Sequence, residues 1–387
     1  MIKIMKKSSI ILAAALVFGA VFSCTKPEAL DLQPAYEYTE AYYEALREYK
    51  KSDHSISYLW FADYGVPSSP AYRFAGIPDS VDVVSLWGGI PKEGTLDRKE
   101  MYEMRDKKGT KIVAVRITRL APANANYYSY SWADDAKIPS YVNAYNATYE
   151  EQIAAGADEA TATTAAQDAG IKALRADIFA NPSRKLVSGT EGEADAVYEY
   201  PEWCRYAADD MLNEVFENKL DGYDLDYEPE GDALENEPFI TMVQYMAQFL
   251  GPKSKNPETL LIIDRNTAPK HGEELAHLCN YWIKQKYGGT GGASAATDSD
   301  FPLHNDEGRG WKNNQIIVTE NIGDMWKDGG RLLQHAGFQP SKGGRKGGFG
   351  AFHGQRDYNT TDSGADKDTP YGHLRKAIQL QNPAVKK

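Results

Sequence analysis

An alternating acidic pattern over residues 222–228 constrains the fold of this chain more than any other feature. Asp224, Asp226 and Glu228 stand at every second position, and the positions between them are apolar or aromatic. In a β-strand, residues two apart point to the same face. The pattern therefore predicts a strand with three carboxyl groups on one face and apolar and aromatic residues on the other.

Three carboxyl groups that converge on one face repel one another, and burial adds to the free-energy cost of ionising them all. At least one is therefore expected to keep its proton near neutral pH, which is what a general acid requires. A calcium loop is a poorer interpretation, because the ligand spacing of an EF-hand is absent. A solvated acidic turn would leave the alternating apolar positions unexplained.

Strand-like and helix-like segments alternate along most of the chain, as in the βα units of a parallel sheet. The eight predicted strands cover residues 56–61, 81–86, 111–117, the segment that begins at 222, and residues 259–264, 279–287, 315–319 and 348–352. A count of eight predicts the α/β class and a TIM (β/α)8 barrel. Barrels of this kind keep catalytic groups at the C-terminal ends of their strands.

A long insertion is expected between strands three and four, at about residues 121–218, because βα connections usually take roughly 2–6 residues. Residues 149–179 predict two helices interrupted at Gly156 and Gly170, and residues 202–218 an amphipathic helix that packs on the barrel. An insertion here would stand over the C-terminal barrel face, where it could select substrates. One domain is expected over residues 39–387.

The composition narrows the choice of partner. The net charge of −12 argues against nucleic acid, because binding phosphates requires a basic surface. The chain has 25 tyrosines and 7 tryptophans, and aromatic faces are surfaces on which sugar rings stack, although most of them are expected to pack in the core or at its rim. No Cys/His cluster has the spacing of metal ligands, so neither a metal nor another cofactor is expected.

The N-terminal residues have the features of an export signal. Three lysines precede a short apolar run over residues 10–22, and a membrane-spanning helix would need roughly 20 apolar residues. Residues 1–23 are therefore predicted to be a signal peptide. The residues up to Cys24 resemble the lipobox of bacterial lipoproteins, which implies a lipidated Cys24, a tether over residues 24–38 and membrane association. Plain secretion is the alternative.

Two further cysteines, Cys204 and Cys279, lie far apart in the sequence. One possible pair is a weak case for a disulfide scaffold. We interpret both as buried small hydrophobic residues, and we expect the protein to be a monomer.

The acidic segment also carries a family resemblance. Residues 221–228 read DGYDLDYE and resemble the Asp-Gly-x-Asp-x-Asp-x-Glu signature of glycoside hydrolase family 18, with every signature position filled. Over the mature chain, the sequence resembles the branch of bacterial lipoproteins related to endo-β-N-acetylglucosaminidases, with matches in residues 77–88, 348–353 and 375–384. For a lipoprotein of this branch we expect display on the outer membrane, at the cell surface or on its periplasmic side.

The resemblance implies substrate-assisted hydrolysis with retention of configuration, an exception to the usual scheme with two catalytic carboxylates. Glu228 would protonate the leaving oxygen and then act as the base for water. Asp226 would orient the 2-acetamido group that attacks the anomeric carbon, and Asp224 would adjust the charge of Asp226. Tyr287, on the sixth strand, would donate a hydrogen bond to the acetamido group.

Further substrate contacts follow from the same resemblance. Gln285 precedes Tyr287 by two residues on the same strand face. Trp60 could add an aromatic wall, and core packing is the alternative role for it. The remaining candidates for substrate binding are Tyr227, Phe352 and His353, and for His353 a structural role is equally open.

Two departures from the family pattern bear on the substrate. The Met-x-Tyr-Asp motif that chitinases carry on strand six is replaced by YWIKQKYG at residues 281–288, which favours the endoglycosidase branch. Phe352 and His353 stand where many members have a tryptophan beneath the sugar. The resemblance thus implies an endo-β-N-acetylglucosaminidase that cleaves the chitobiose core of N-glycans. The alternatives are a chitinase-like hydrolase and a non-catalytic glycan-binding lipoprotein.

Overall fold

Eight parallel strands close into a barrel in the computed structural model, which describes residues 38–123, 130–289, 292–304, 306–359 and 369–383. The barrel strands are β1 (Ile56–Phe61), β2 (Val83–Leu86), β3 (Lys111–Ile117), β6 (Gly222–Asp226), β7 (Leu260–Arg265), β8 (Tyr281–Gln285), β9 (Ile316–Asn321) and β10 (Gly348–Phe352). Strand β1 pairs with β10 and closes the ring. Two short strands, β4 (Lys185–Ser188) and β5 (Val197–Glu199), form a separate antiparallel pair.

The predicted TIM (β/α)8 barrel is therefore confirmed, and the strands lie within two residues of their predicted ends. Alternation along β1 shows why these sequences form barrel strands. Tyr58 and Trp60 point into the barrel, where they pack with apolar residues of other strands. Leu59 and Phe61 point outward into the larger core between the barrel and its helices. Both faces are buried, as expected for a parallel sheet covered by helices.

Helices surround the barrel. Those outside the insertion are α1 (Glu40–Lys51), α2 (Leu96–Lys108), α6 (Glu202–Glu217), α7 (Glu237–Met246), α8 (Gly272–Leu275), α9 (Ile322–Met325), α10 (Leu332–Gly337) and α11 (Gly372–Gln381). Local signals set the bounds of α2. The Thr95 side chain accepts a hydrogen bond from the Arg98 backbone N–H, and Gly109 ends the helix in the left-handed conformation.

The connection between β3 and β6 contains three helices besides α6, namely α3 (Tyr130–Asp135), α4 (Pro139–Ala154) and α5 (Glu159–Ala180). Helix α6 itself packs on β3 and β6. Arg175 of α5 donates to the carbonyl oxygens of Ala121 and Gly231 at 2.9 and 3.1 Å. The insertion is thereby attached to the two loops that leave the C-terminal ends of β3 and β6.

Two expectations within the insertion need correction. The first of the two helices begins at Pro139, ten residues before the expected start at 149. Gly156 does separate the two helices, but Gly170 lies inside α5 and does not interrupt it. A Cβ atom at Gly170 would stand 2.7 Å from the ring of Tyr141. The glycine therefore serves close packing of α4 on α5.

Several N-terminal features lie outside the described residues, namely the signal sequence, Cys24 and the tether up to residue 37. In the described part of the chain, no helix is both long and apolar enough to cross a membrane. Cys204 and Cys279 are buried with free thiols, and burial raises the pKa of each thiol above its ordinary value.

Candidate active site

The acidic residues of β6 lie at the C-terminal mouth of the barrel. Asp224 and Asp226 are buried on the strand, and Glu228 follows two residues after its end. The Tyr227 backbone N–H donates to the Asp264 carbonyl oxygen at 2.7 Å, so the pairing of β6 with β7 continues towards Glu228. The first residue of β6 is a glycine, Gly222, because a Cβ atom at this position would stand 2.1 Å from the Leu260 carbonyl oxygen.

Asp224 is held by a ring of donors inside the barrel. Its Oδ2 accepts from Tyr58 Oη at 2.7 Å, from Trp60 Nε1 at 2.9 Å and from Ser85 Oγ at 3.1 Å. Burial raises the pKa of Asp224 to about 7, and the hydrogen bonds from these donors oppose the rise. Trp60 thus supports the acidic site from within the barrel and is almost completely buried.

Asp226 shares a hydrogen-bond donor with a fourth carboxyl group. Gln285, at the end of β8, donates from Nε2 to Asp226 Oδ1 and to Asp264 Oδ2, both at 3.0 Å. Asp264 lies on β7 directly beside Asp226 in the strand register. Burial raises the pKa of Asp226 well above its usual range, and the charges of Glu228 and Asp224 raise it further.

Glu228 is the most accessible carboxyl group of the acidic segment, with 35% of its side chain exposed. Its Oε2 lies 3.0 Å from Nη2 of Arg119, which follows β3 and also donates to Glu230. Asp232 accepts from the Leu120 backbone N–H at 2.9 Å and so anchors the loop that carries Arg119. Burial raises the pKa of Glu228, Arg119 lowers it, and Glu230 raises it.

An aromatic cluster lines the mouth beside the carboxyl groups. The ring of Tyr287 stacks on Phe352 with centroids 5.8 Å apart. Phe352 also contacts Trp60 and Trp87 edge-on, at 6.0 and 5.1 Å. Burial raises the pKa of Tyr287 well above its usual range, and the charges of nearby aspartates add to the rise. The phenol therefore keeps its hydrogen and can donate it.

The loop after Tyr287 is fixed by a buried glutamate. Glu320 accepts from the backbone N–H of Gly288 at 2.8 Å through Oε1 and from that of Arg331 at 2.7 Å through Oε2. A Cβ atom at Gly288 would stand 2.6 Å from Arg331 Cγ and 2.8 Å from Glu320 Oε2, so a larger residue there would have to displace one of these side chains. The backbone next to Tyr287 is thus held by a hydrogen bond to a carboxyl group that is itself held from a second loop.

His353 lies beside the aromatic cluster in a left-handed backbone conformation, with φ of 51°. Its Nδ1 stands 3.2 Å from Nε2 of Gln355, which donates to Asp63 Oδ2 at 2.8 Å. The ring also contacts Phe352 edge-on. Burial lowers the pKa of His353, so the imidazole is neutral at neutral pH and is held among polar neighbours at the rim.

Tyr227 does not reach the site, and its expected substrate contact needs correction. The side chain is completely buried on the outer face of the barrel and stacks on Phe239 of α7 with centroids 3.6 Å apart. Its hydroxyl accepts from the Asn236 backbone N–H at 3.1 Å. The side-chain period of two explains this placement, because Tyr227 lies one residue away from the acidic positions.

Three residues of the site were not singled out from the sequence, namely Asp264, Arg119 and Trp87. The sequence does indicate Asp264, since it is an acidic residue at the C-terminal end of an otherwise apolar predicted strand. Trp87 lies within the family match at residues 77–88. Arg119 had no signal, because it lies in a loop whose course depends on the fold. Within the described residues, no group of three or more His, Cys, Asp or Glu side chains could hold a metal ion.

Two family models match the chain in separate regions. One, described as glycoside hydrolase family 18, BT1044-like, matches residues 25–128. The other, described as the TIM-barrel domain of the endo-β-N-acetylglucosaminidase EndoS, matches residues 178–350 and includes the whole acidic segment. Over these regions the chain is similar to glycoside hydrolase family 18. The family resemblance expected from the acidic signature is thereby confirmed, and the protein is a glycoside hydrolase.

Solved structures resemble this glycoside hydrolase in fold. A structure of a glutamate-to-glutamine variant of BT1044, prepared with selenomethionine, is 18% identical with a TM-score of 0.59, over 91% of this chain and 97% of that one. The endo-β-N-acetylglucosaminidase from Cordyceps militaris in apo form is 20% identical with a TM-score of 0.54, over 90% and 98%.

A double mutant of the Cordyceps militaris enzyme, in complex with fucosyl-N-acetylglucosamine-Asn, is 19% identical to this chain with a TM-score of 0.53, over 90% and 98%. At these sequence identities the similarity shows a shared fold and nothing more specific. No curated protein sequence matches the chain.

Proposed function

We propose that this protein is a family 18 endo-β-N-acetylglucosaminidase that hydrolyses the bond between the two N-acetylglucosamines of the N-glycan core. One observation carries the proposal. Glu228 is partly exposed at the barrel mouth, while Asp226 lies buried beneath it and is held by Gln285. The site thus combines an accessible acid with a buried carboxyl group that can face the 2-acetamido group of a sugar.

Hydrolysis would proceed in two steps with retention of configuration. In the first, Glu228 gives its proton to the glycosidic oxygen as the bond from that oxygen to the anomeric carbon breaks. The acetamido oxygen of the same sugar attacks the anomeric carbon, which forms an oxazolinium ring. In the second step, water attacks the anomeric carbon and gives its proton to Glu228, and the ring opens.

The neighbouring groups would stabilise the intermediate. Asp226 would orient the acetamido N–H and stabilise the positive charge that develops on the ring, an electrostatic contribution. Tyr287 would donate its phenolic hydrogen to the acetamido oxygen, and Gln285 would keep Asp226 in place. Asp224, with its three donors, would adjust the charge of Asp226 through their shared proton equilibrium.

The N-glycan core is favoured as the substrate by two observations. Residues 281–288 lack the chitinase motif on the sixth barrel strand. The Cordyceps militaris relative is an endo-β-N-acetylglucosaminidase crystallised with fucosyl-N-acetylglucosamine-Asn. That ligand is a sugar–asparagine unit, which an enzyme that cleaves between the two N-acetylglucosamines would meet at the core of its substrate.

The decisive experiment incubates the mature protein with an N-glycoprotein and follows glycan release by mass spectrometry. Glu228→Gln should abolish release while it leaves glycan binding intact. Glu235→Gln is the matched control, because Glu235 is exposed on the loop that follows Glu228. Release by Glu228→Gln at the wild-type rate would show that the acid is assigned to the wrong residue.

The same assay separates the alternatives. Release from chito-oligosaccharides but not from glycoproteins would indicate a chitinase-like hydrolase. Tight glycan binding without turnover of any acetamido sugar would indicate a non-catalytic glycan-binding protein. Digestion of a mixture of glycoproteins would then identify the class of N-glycan that is released.

We also propose that Cys24 anchors the protein in the outer membrane, with the barrel at the cell surface. The lipobox-like residues before Cys24 support this assignment. Metabolic labelling with a palmitate analogue should mark the wild-type protein, whereas Cys24→Ser should remain unlabelled. Protease treatment of intact cells should degrade a barrel at the surface and spare one on the periplasmic side.

A further inference from the structure

Asp264 is a buried carboxyl group outside the family signature. It lies on β7 beside Asp226, and 1% of its surface is exposed. A carboxyl group at such a position is expected to be paired with a cation or held by several donors. Among the described residues, Gln285 donates a hydrogen bond to Asp264 Oδ2, and Asp264 Oδ1 has no donor within hydrogen-bond distance.

Gln285 connects Asp264 to Asp226 through a single atom. Its Nε2 lies 3.0 Å from Asp226 Oδ1 and 3.0 Å from Asp264 Oδ2. A side-chain amide nitrogen carries two hydrogens, so each carboxyl group takes one of them. The two acceptors on neighbouring strands therefore fix the plane of the amide, and with it the position of Asp226.

The charge of Asp264 follows from the same surroundings. Burial raises its pKa well above the usual range, and the charges of Asp226 and Asp224 raise it further. A negative charge on Asp264 would have one donor for two buried oxygens, whereas a neutral carboxyl group needs less stabilisation. Burial, the neighbouring charges and the single donor together favour the neutral form of Asp264.

Other groups act on this pair from the neighbouring elements. Those whose charge or hydrogen bonds reach Asp226 or Asp264 are Asp224, Glu228, Arg119, Gln285, Tyr58 and Tyr287. Of these only Arg119 is a cation, and it contacts Glu228 and Glu230 directly. The surroundings of the pair are thus dominated by groups that disfavour a second negative charge.

We propose that Asp264 is a positioning residue: in its neutral form it anchors Gln285, and through Gln285 it holds Asp226 in the orientation that the reaction requires. The proposal rests on the proposed function, since Asp226 is the residue whose position is set. The neutral acid offers a carbonyl oxygen to Gln285 without adding a charge beside Asp226.

The test compares Asp264→Asn with Asp264→Leu in the glycan-release assay. Asparagine is a neutral group of the same shape and keeps an oxygen that accepts from Gln285, so kcat should stay within about threefold of wild type. Leucine fills a similar volume but accepts nothing, so kcat should fall about 10- to 100-fold, as when a group that orients a functional residue is lost. KM should change little.

A double-mutant cycle distinguishes action through Gln285 from a general structural role. Gln285→Leu should lower kcat about as much as Asp264→Leu does, and the double variant should be no slower than Gln285→Leu alone. Thermal unfolding shows whether each variant is folded, and Asp264→Ala provides a second variant if leucine does not fit the site.

Three results would overturn the proposal. They are an asparagine variant as slow as the leucine variant, a leucine variant with wild-type kcat, and additive effects in the double variant. These outcomes are separate from failure of the proposed function, because Glu228→Gln reports on that function independently. Loss of release in Glu228→Gln with wild-type rates in every Asp264 variant would reject only the role of Asp264.

Discussion

A single nitrogen of Arg119, Nη2, lies 3.0 Å from Oε2 of Glu228 and also donates to Oε2 of Glu230. One cation therefore serves two carboxyl groups, one of which is the proposed general acid. Arg119 stabilises the ionised form of Glu228, and Glu230 opposes it through its own charge. The proton affinity of Glu228 thus depends on two neighbours of opposite sign.

Arg119→Met is expected to extend activity to higher pH. Without the guanidinium the pKa of Glu228 rises, so the protonated form that donates to the leaving oxygen persists as the pH increases. Because Glu228 is partly exposed, we expect the basic limb of the kcat/KM profile to shift upward by about one pH unit or less. The measurement is the pH dependence of glycan release.

Glu230→Gln should shift the same limb in the opposite direction. Removal of the second carboxylate lowers the pKa of Glu228 and leaves Arg119 with a single charged partner. Shifts of the same sign in both variants would contradict this description of the acid.

Asp224 is expected to make the protein less stable as the pH rises. Burial raises its pKa from 3.8 in an unfolded chain to about 7 in the folded protein. Between these pH values the folded state binds more protons than the unfolded state, so the free energy of unfolding falls as the pH increases. Asp224→Asn should remove this contribution and show a smaller fall in Tm over the same range.

Asp135→Asn is a suitable control for that comparison, because Asp135 is exposed on α3. Its Tm should follow the wild-type pH dependence. Parallel curves for wild type and Asp224→Asn would show that Asp224 binds its proton equally in the folded and unfolded states.

Tyr287→Phe and Tyr227→Phe remove the same atom on opposite sides of the barrel wall. Loss of the Tyr287 hydroxyl should lower kcat about 10- to 100-fold, because it removes a donor to the reacting acetamido group. Loss of the Tyr227 hydroxyl should leave kcat and KM unchanged. It should lower the free energy of unfolding by about 1 kcal/mol, because the hydrogen bonds from the Asn236 N–H and to the Leu234 carbonyl oxygen are lost.

Kinetics with one glycopeptide and denaturation in urea measure the two tyrosine effects separately. A kinetic defect in Tyr227→Phe as large as that in Tyr287→Phe would show that the outer face contributes to the site after all. Equal stability of Tyr227→Phe and wild type would indicate that water replaces the lost contact.

Gly170→Ala should destabilise the insertion although alanine is the better helix former. Helix propensity favours alanine by about 1 kcal/mol, but the new methyl group would stand 2.7 Å from the Tyr141 ring. Overpacking typically costs about 1–3 kcal/mol, so a net loss of about 1 kcal/mol in unfolding free energy is expected. Urea denaturation gives the value.

Gly337→Ala is the matched control for the glycine substitution, because nothing lies within 4 Å of a Cβ atom at the end of α10. It should be neutral or slightly stabilising. An equal stability change at both positions would show that the Tyr141 ring moves aside at no cost.

Much of the barrel could be predicted because its strands carry local patterns. In β1, Tyr58 and Trp60 face the barrel interior and alternate with Leu59 and Phe61, which face the helices. Apolar segments of this length predict the barrel strands to within two residues of their observed ends. The bounds of the helices in the insertion are predicted less accurately from the sequence. Gly170 resembles a helix breaker in the sequence, and its packing role depends on Tyr141, about thirty positions earlier in the chain.

The sequence by itself determined that Asp224 and Asp226 share one face of a strand and that Glu228 follows them at the same spacing, since the side-chain period of two is a local property. Only the tertiary structure decided which groups meet them. Asp264, Gln285 and Arg119 come from other strands and loops, and closure of the barrel brings them together. Proton affinities depend on such non-local burial and charge, so the chemistry of the site was decided by the closed barrel.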